Sequence, residues 1–489
     1  MTTTAHPGPF PQAPSDQDSR SDVDVLIVGG GVCGTALLFE LARYTDLKRL
    51  ALVERYDRLA QVNSKATSNS QTIHCGDIET NYSLDKALSV QRTAAMIGRY
   101  GDLLEPGLRE RCVFRTPKMV LAVGDDECRM LRERFVQFSP HFPAMELLEA
   151  QQIADWEPQV ALIDGRLRPE PIVAIGIRHS PTAVDYEALA ESFVAEARRS
   201  MAENERALEL RLGTSVNRID PEGEVFRVTL QTAEDGRISE LRARHVVVAA
   251  GAHSLLLAQR LGFGLEYACL PVAGSFYFTP DLLNGKVYTV QNNKLPFAAI
   301  HGDPDVRAPG QTRFGPTALL LPLLERYRPS SFWDFLKVLR LDWAVLSVLW
   351  QLFGVADIRN YILRNLLFEL PWLGRRLFLE DARKIVPSLK LEDLRFARGY
   401  GGIRPQLIDR RSRRLLLGEI RIEAMPGLSF NVTPSPGGTC CLGNALRDVE
   451  AIVARLGCRF DRDRLGRDLE GIGSAPSSDG DTSGALQAA

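Results

Sequence analysis

What the chain lacks narrows its function first. Its eight cysteines form no C-x-x-C pair and fall at no metal-ligand spacing, so no metal site is expected and reduced, buried thiols in a cytosolic compartment are the simplest reading. A net charge of −2 supplies no basic field that would draw the chain to nucleic acid. The first 22 residues are rich in Pro, Ser, Thr and Asp and contain no apolar h-region, which reads as a disordered tail and not a signal peptide. The longest nearly unbroken apolar run spans only 343–356, short of the roughly 20 residues a bilayer-spanning helix needs. No internal repeat is visible. The rest is ordinary for a soluble globular protein, at 45% hydrophobic and 25% charged residues, and 489 residues suffice for two to four domains.

The most informative stretch present is DVLIVGGGVCGTALLFEL, residues 24–41. Val25–Val28 reads as a buried strand that breaks on glycine, after which Ala36, Leu37, Leu38 and Leu41 recur at helical spacing. Gly29, Gly31 and Gly34 form G-x-G-x-x-G at the junction. They allow a tight turn, close approach of a pyrophosphate, and close helix–strand packing. The helix N-terminus offers free N–H groups and a positive dipole end to phosphate. A second strand, 50–53, ends on Glu54, about 20 residues past Gly34, where an acid accepts hydrogen bonds from ribose. This pattern predicts a bound dinucleotide.

Further along, 63–82 (NSKATSNSQTIHCGDIETNY) is dense in small and polar residues and reads as a long loop crossing the cofactor. Helices are expected over 84–103, 125–138 and 184–199, with strands over 119–123, 208–212 and 225–230. A buried strand at 241–250, followed by Gly251, would return the chain to the nucleotide domain. Gly437 and Gly438 would open a final helix running to about Gly457 and bring N–H groups toward the cofactor, unless they form only a capped turn. Segment 331–379 holds four of the five tryptophans, interleaved with Lys337, Arg340, Arg359, Arg364, Arg375 and Arg376. It would either lie in a membrane interface or pack internally as a helical hairpin; any membrane association would be peripheral.

The segments DVLIVGGGVCGTALL, ERYDRLAQVNSKATSNSQTIHCGDIETNY, HGDPDV, TRFGPTAL, GYGGIRPQ and NVTPSPGGTCCLGNA occur in the order found in malate:quinone oxidoreductases, and the chain resembles that family over roughly 22–460. More distantly it is similar to L-2-hydroxyglutarate dehydrogenase and the D-amino-acid-oxidase-like flavoproteins. There an N-S-x-x-x-H-x-G pattern crosses the flavin, matching Asn69, Ser70, His74 and Gly76. The resemblance implies an α/β fold, with a Rossmann-like FAD-binding domain and a second α+β substrate domain. The domain assignment is a tail at 1–22, an FAD-binding domain at 23–105, 185–262 and 395–460, a substrate domain at 106–184 and 263–394, and a largely disordered tail at 461–489. It implies FAD in place of a nicotinamide cofactor, held by Gly29, Gly31, Gly34, Glu54, Asn69, Ser70, Gln71, Gly251, Gly437, Gly438 and Thr439. The implied partners are L-malate, a quinone and the cytoplasmic face of a membrane, with oxaloacetate as product.

Oxidising a 2-hydroxy dicarboxylate needs a base for the hydroxyl proton and cations for the carboxylates. Histidine titrates near operating pH, and of the seven only His74 and His301 fall in the resembling motifs. His301 is the leading candidate base, oriented by Asp303 unless that is a turn residue, with His74 as flavin-side orienter or alternative base. His245, among strand residues, reads as structural. Arginine's planar fork suits carboxylates, which selects Arg404 in GYGGIRPQ and Arg313 in TRFGPT. Two alternatives stay open: an FAD enzyme for another 2-hydroxy acid or for oxygen, and a flavin-binding redox sensor without turnover.

Overall fold

The computed structural model describes residues 22–291, 300–370, 373–416, 418–434 and 436–472. The expectations for 1–21, for 473–489 and for Trp372 lie outside the described residues. Asp22–Val28 is the central strand, with parallel neighbours on both sides: Leu26 pairs with Ala51 of Arg49–Val53 and with Val246 of Ile238–Val248. Such a strand is covered on both faces and needs no polar alternation, which explains the unbroken apolar run. Val25, Ile27, Leu50 and Leu52 point to one core, with helices Val32–Tyr44 and Tyr186–Glu203. Leu26, Val28, Ala51 and Val53 point to the other, beneath the antiparallel strands Thr214–Glu222 and Val225–Thr232. Each such fully buried aliphatic side chain contributes about 1.5–3 kcal/mol. Ala207–Arg211 extends this sheet at one edge, and Leu428–Val432 joins it in parallel to Val246–Val248.

A second eight-stranded sheet runs Arg395–Phe396, Tyr277–Pro280, Gln311–Gly315, His301–Pro304, Lys286–Thr289, Lys118–Val123, Ile172–Ile177, Glu146–Glu149. A four-stranded sheet pairs Tyr267–Ala273 with Ile403–Asp409, opposing Val272 to Arg404. The expected return to the nucleotide domain from Arg395 is corrected by this topology. Residues 395–409 belong to these two sheets, and the dinucleotide sheet is regained only at Ile420–Met425 and Leu428–Val432. Nor is 461–472 a disordered tail. Leu465 and Leu469 are fully buried in the first core, and Asp468 pairs with Arg43 at 3.0 Å.

The segment from 331 forms four helices, Ser331–Leu339, Trp343–Gly354, Ala356–Leu367 and Leu373–Arg383. Asp342 caps the second by accepting from the Val345 N–H at 2.9 Å. Their inner faces are core: Phe335 and Val338, then Val345 and Val348, then Phe378. Their outer faces leave Trp333, Trp343 and Trp350 exposed at 66%, 75% and 82%, together with Leu341, Leu363 and Leu366. The basic residues here are partly committed, Lys337 to Asp334 and Arg364 to Glu380 and Asp381. Among the described residues no helix is long and apolar enough to cross a membrane.

Candidate active site

The C-terminal ends of strands Asp22–Val28, Arg49–Val53, Ile238–Val248 and Leu428–Val432 open onto a cavity of about 410 Å³. Its floor is the glycine turn. Gly29 has φ +117, and a Cβ there would meet the Ala249 carbonyl oxygen at 2.4 Å, the close approach that only glycine permits. A Cβ on Gly34 would meet the Gly29 carbonyl oxygen at 2.1 Å, which is why helix and strand can touch. Gly31 lines the cavity at the N-terminus of helix Val32–Tyr44; it carries no capping side chain, and the Ser64 hydroxyl, also on the lining, accepts the Val32 N–H at 3.0 Å. A helix N-terminus opening on a cavity fits a pyrophosphate.

Glu54 lines the same cavity. Its carboxylate accepts the Gly30 N–H at 2.7 Å and the Tyr56 N–H at 3.0 Å, leaving lone pairs for a ribose hydroxyl. Gly251, Gly437, Gly438 and Thr439 also line it, and the helix after the second glycine pair runs Cys441–Leu456. The loop at 63–82 crosses the opening, and Asn69 and Ser70 face in. The Asn69 side chain donates to the Asn63 and Lys65 carbonyls at 3.1 and 2.8 Å. Gln71 is placed differently. It is fully buried behind the loop, donating to the Ala66 carbonyl at 3.0 Å and accepting the Val306 N–H at 3.2 Å, and it braces the loop without lining the cavity.

The four candidate chemical residues separate into two pairs. His74 and Arg404 line the cavity. Nδ1 of His74 lies 3.0 Å from Oε1 of Glu79, and its backbone N–H donates to the Thr439 hydroxyl at 3.1 Å. Arg404 is half-buried, and among the described residues no carboxylate pairs with it. Burial pulls its guanidinium below the ordinary pKa, while the phenols of Tyr361, Tyr288 and Tyr82 are the neighbours that oppose this. A cation in a cavity with no acid beside it is a site for an incoming anion.

His301 and Arg313 stand behind that wall. His301 is 1% exposed, its ring 4.5 Å from that of Tyr288 and its Nε2 3.6 Å from Asp303, and it is not part of the cavity lining. Arg313 is fully buried and committed. It pairs with Asp303 at 3.3 Å and Asp305 at 3.2 Å, and donates to the Asn69 and Ser70 carbonyls at 3.2 and 3.0 Å. The expectation that Arg313 grips substrate is corrected: its donors are taken up by the loop that Asn69 and Ser70 occupy. Asp303 likewise serves Arg313 and Lys286, the latter at 2.9 Å, as much as His301. Burial, which outweighs Asp303, pulls the Lys286 ammonium below its ordinary pKa, and it holds the Ser70 carbonyl and the Thr72 hydroxyl at 3.1 and 2.7 Å.

Sequence reasoning passed over Glu79, Lys286 and Asp305. Glu79 stands inside the quoted GDIETNY motif, but no periodicity links it to His74 in a loop. Lys286 sits outside every motif quoted, on a strand whose partner could not be foreseen. Among the described residues no cluster of His, Cys, Asp and Glu could hold a metal ion.

Residues 24–443 match the family described as FAD dependent oxidoreductase. A probable malate:quinone oxidoreductase of Campylobacter jejuni is 46% identical over 457 residues, covering 92% of this chain and 100% of the relative. The chain belongs to the malate:quinone oxidoreductase family. The malate:quinone oxidoreductase of Helicobacter pylori is 45% identical over 451 residues, with 92% and 98% covered. Solved structures of other flavoenzymes share this chain's fold. L-alpha-glycerophosphate oxidase from Mycoplasma pneumoniae with FAD bound has a TM-score of 0.59 at 20% identity, covering 88% of this chain and 95% of that one. Glycine oxidase from Geobacillus kaustophilus has a TM-score of 0.58 at 18% identity, covering 89% and 95%. FAD is the cofactor, and the glycine turn, the helix N-terminus and Glu54 are the cradle that fits its phosphates and ribose.

Proposed function

We propose that the chain oxidises L-malate to oxaloacetate and passes the electrons to a quinone at a membrane surface. The observation that carries this is Arg404: a guanidinium with no partner carboxylate among the described residues, lining the same cavity as His74. The names of the relatives, at 45–46% identity over nearly their full length, supply the substrate pair. Arg404 binds one carboxylate of malate and fixes the 2-hydroxyl toward His74, which takes the hydroxyl proton. FAD, when bound, supplies the two-electron acceptor for the C2 hydride and the relay of those electrons to quinone. Asn69 and Ser70 hold the loop over the site, and Arg313 and Lys286 act from behind that loop as positioning residues.

Quinones dissolve in lipid, so the acceptor has to be met at a bilayer. The outward tryptophans of 333–350 and the leucines of 363–370 form an exposed apolar surface suited to lying in an interface. Steady-state assay tests the chemistry: malate, and not L-2-hydroxyglutarate, reduces a soluble quinone analogue. Turnover with 2-hydroxyglutarate alone would overturn the substrate. In the same preparation, replacing Trp333, Trp343 and Trp350 by Ser leaves turnover with the soluble analogue intact and lowers co-sedimentation with phosphatidylglycerol-containing vesicles several-fold. Unchanged sedimentation would overturn the docking surface.

A further inference from the structure

We propose that Glu79 is the positioning residue that makes His74 a base, fixing the imidazole so that Nδ1 keeps its proton and Nε2 is left to accept the substrate's. This rests on the reading of His74 given above and specifies which nitrogen acts.

The two side chains lie 3.0 Å apart, and Glu79 is 3% exposed. Burial alone would raise the Glu79 carboxyl above its usual range. The hydrogen bond from His74 and the charge of Lys118 oppose burial and hold it below. An ionised carboxylate can only accept, so the shared proton is on Nδ1. In a neutral imidazole that leaves the Nε2 lone pair free. As the C2–H bond breaks and its electron pair passes to oxidised FAD, the O–H electrons close the C=O bond and the hydroxyl proton moves to Nε2. Malate loses one hydride and one proton in all.

Both ends of the dyad are anchored. The His74 N–H donates to the Thr439 hydroxyl at 3.1 Å, and the Glu79 carbonyl accepts from Arg134 at 2.7 Å. Between them Gly76 has φ +82, and a Cβ there would meet the Ala87 carbonyl oxygen at 2.4 Å, so the connecting backbone is fixed against helix Leu84–Leu103. The other acid of the loop, Asp77, is taken by buried Lys118 at 2.7 Å, which leaves Glu79 as the carboxylate for the imidazole. The second oxygen of Glu79, Oε2, is buried and accepts no hydrogen bond from the described residues. A half-satisfied buried carboxylate costs stability, and departures of this kind concentrate at functional sites.

The experiment is stopped-flow on the holoenzyme, wild type against Glu79→Gln, with the two half-reactions measured separately. A glutamine amide can turn its N–H₂ toward Nδ1, placing the imidazole proton on Nε2. The expected result is FAD content and half-saturating malate within about twofold of wild type, flavin reduction by malate slowed about 10²-fold or more, and reoxidation of dithionite-reduced enzyme by a quinone analogue unchanged. Wild-type flavin reduction in Glu79→Gln, or equal losses in both half-reactions, would overturn the proposal. If Glu79→Gln does not retain FAD, Glu79→Asp decides. Its charge remains but its reach is one methylene shorter, so reduction slows while reoxidation does not; wild-type reduction or parallel loss there overturns the proposal. A wild-type enzyme that malate fails to reduce would instead sink the functional reading itself.

Discussion

The two ends of the cavity are built on opposite principles. The phosphate end is made of backbone: glycines that exclude a Cβ, a helix N-terminus, and Glu54 tying the turn through main-chain N–H groups. The substrate end is made of charged side chains, and those fall into two layers. Arg404 and His74 face the cavity, the first without a counter-ion among the described residues and the second held by Glu79. Behind them Lys286, Asp303, Arg313 and Asp305 neutralise one another and hold up the crossing loop. A backbone site tolerates no added atom. A side-chain site tolerates substitution and loses one function at a time. Arg404 and Arg313 show the contrast within one residue type: what an arginine does here depends on whether its partners are already present.

The largest effect is therefore expected at the phosphate end. Gly34→Val forces a Cβ against the Gly29 carbonyl and parts helix from strand. Neither atom is a flexible side-chain tip, so the cost is several kcal/mol. Expression should give protein without FAD or no soluble protein, read by the visible spectrum and thermal melting. A yellow, normally melting Gly34→Val would break the comparison. Next comes the rear layer. Arg313→Ala leaves Asp303 and Asp305 buried with Lys286 as their remaining cation, and should cost about 3–5 kcal/mol, seen as a lowered urea midpoint. If Arg313→Ala instead keeps full stability and loses only affinity for malate, that arginine belongs to the front layer.

The phosphate end was legible in the sequence because its signals are local. A strand, a glycine turn and a helix lie within 20 residues or so of one another, and each glycine answers one steric demand. The two layers at the substrate end were not. His301 and His74 both sit in distinctive motifs, as do Arg313 and Arg404, yet the role of each arginine is set by strand pairing and not by its motif. Val272 opposite Arg404, and Asp303 opposite Arg313, decide which arginine is free. The helices of 331–383 illustrate the same limit. Read as either interfacial or internal, they are built with one face in the core and the other exposed, a division set by which sheet each helix lands on.

The central claim is that Arg404 reads the substrate while the glycine turn holds the cofactor, and one measurement addresses both. Purified wild type and Arg404→Ala are titrated anaerobically with L-malate while the visible absorbance of the oxidised flavin is followed. The account predicts equal FAD content in the two proteins, full bleaching of the wild type, and no bleaching of Arg404→Ala at malate concentrations that saturate the wild type. Bleaching of both at the same malate concentration, or loss of FAD from Arg404→Ala, would contradict it.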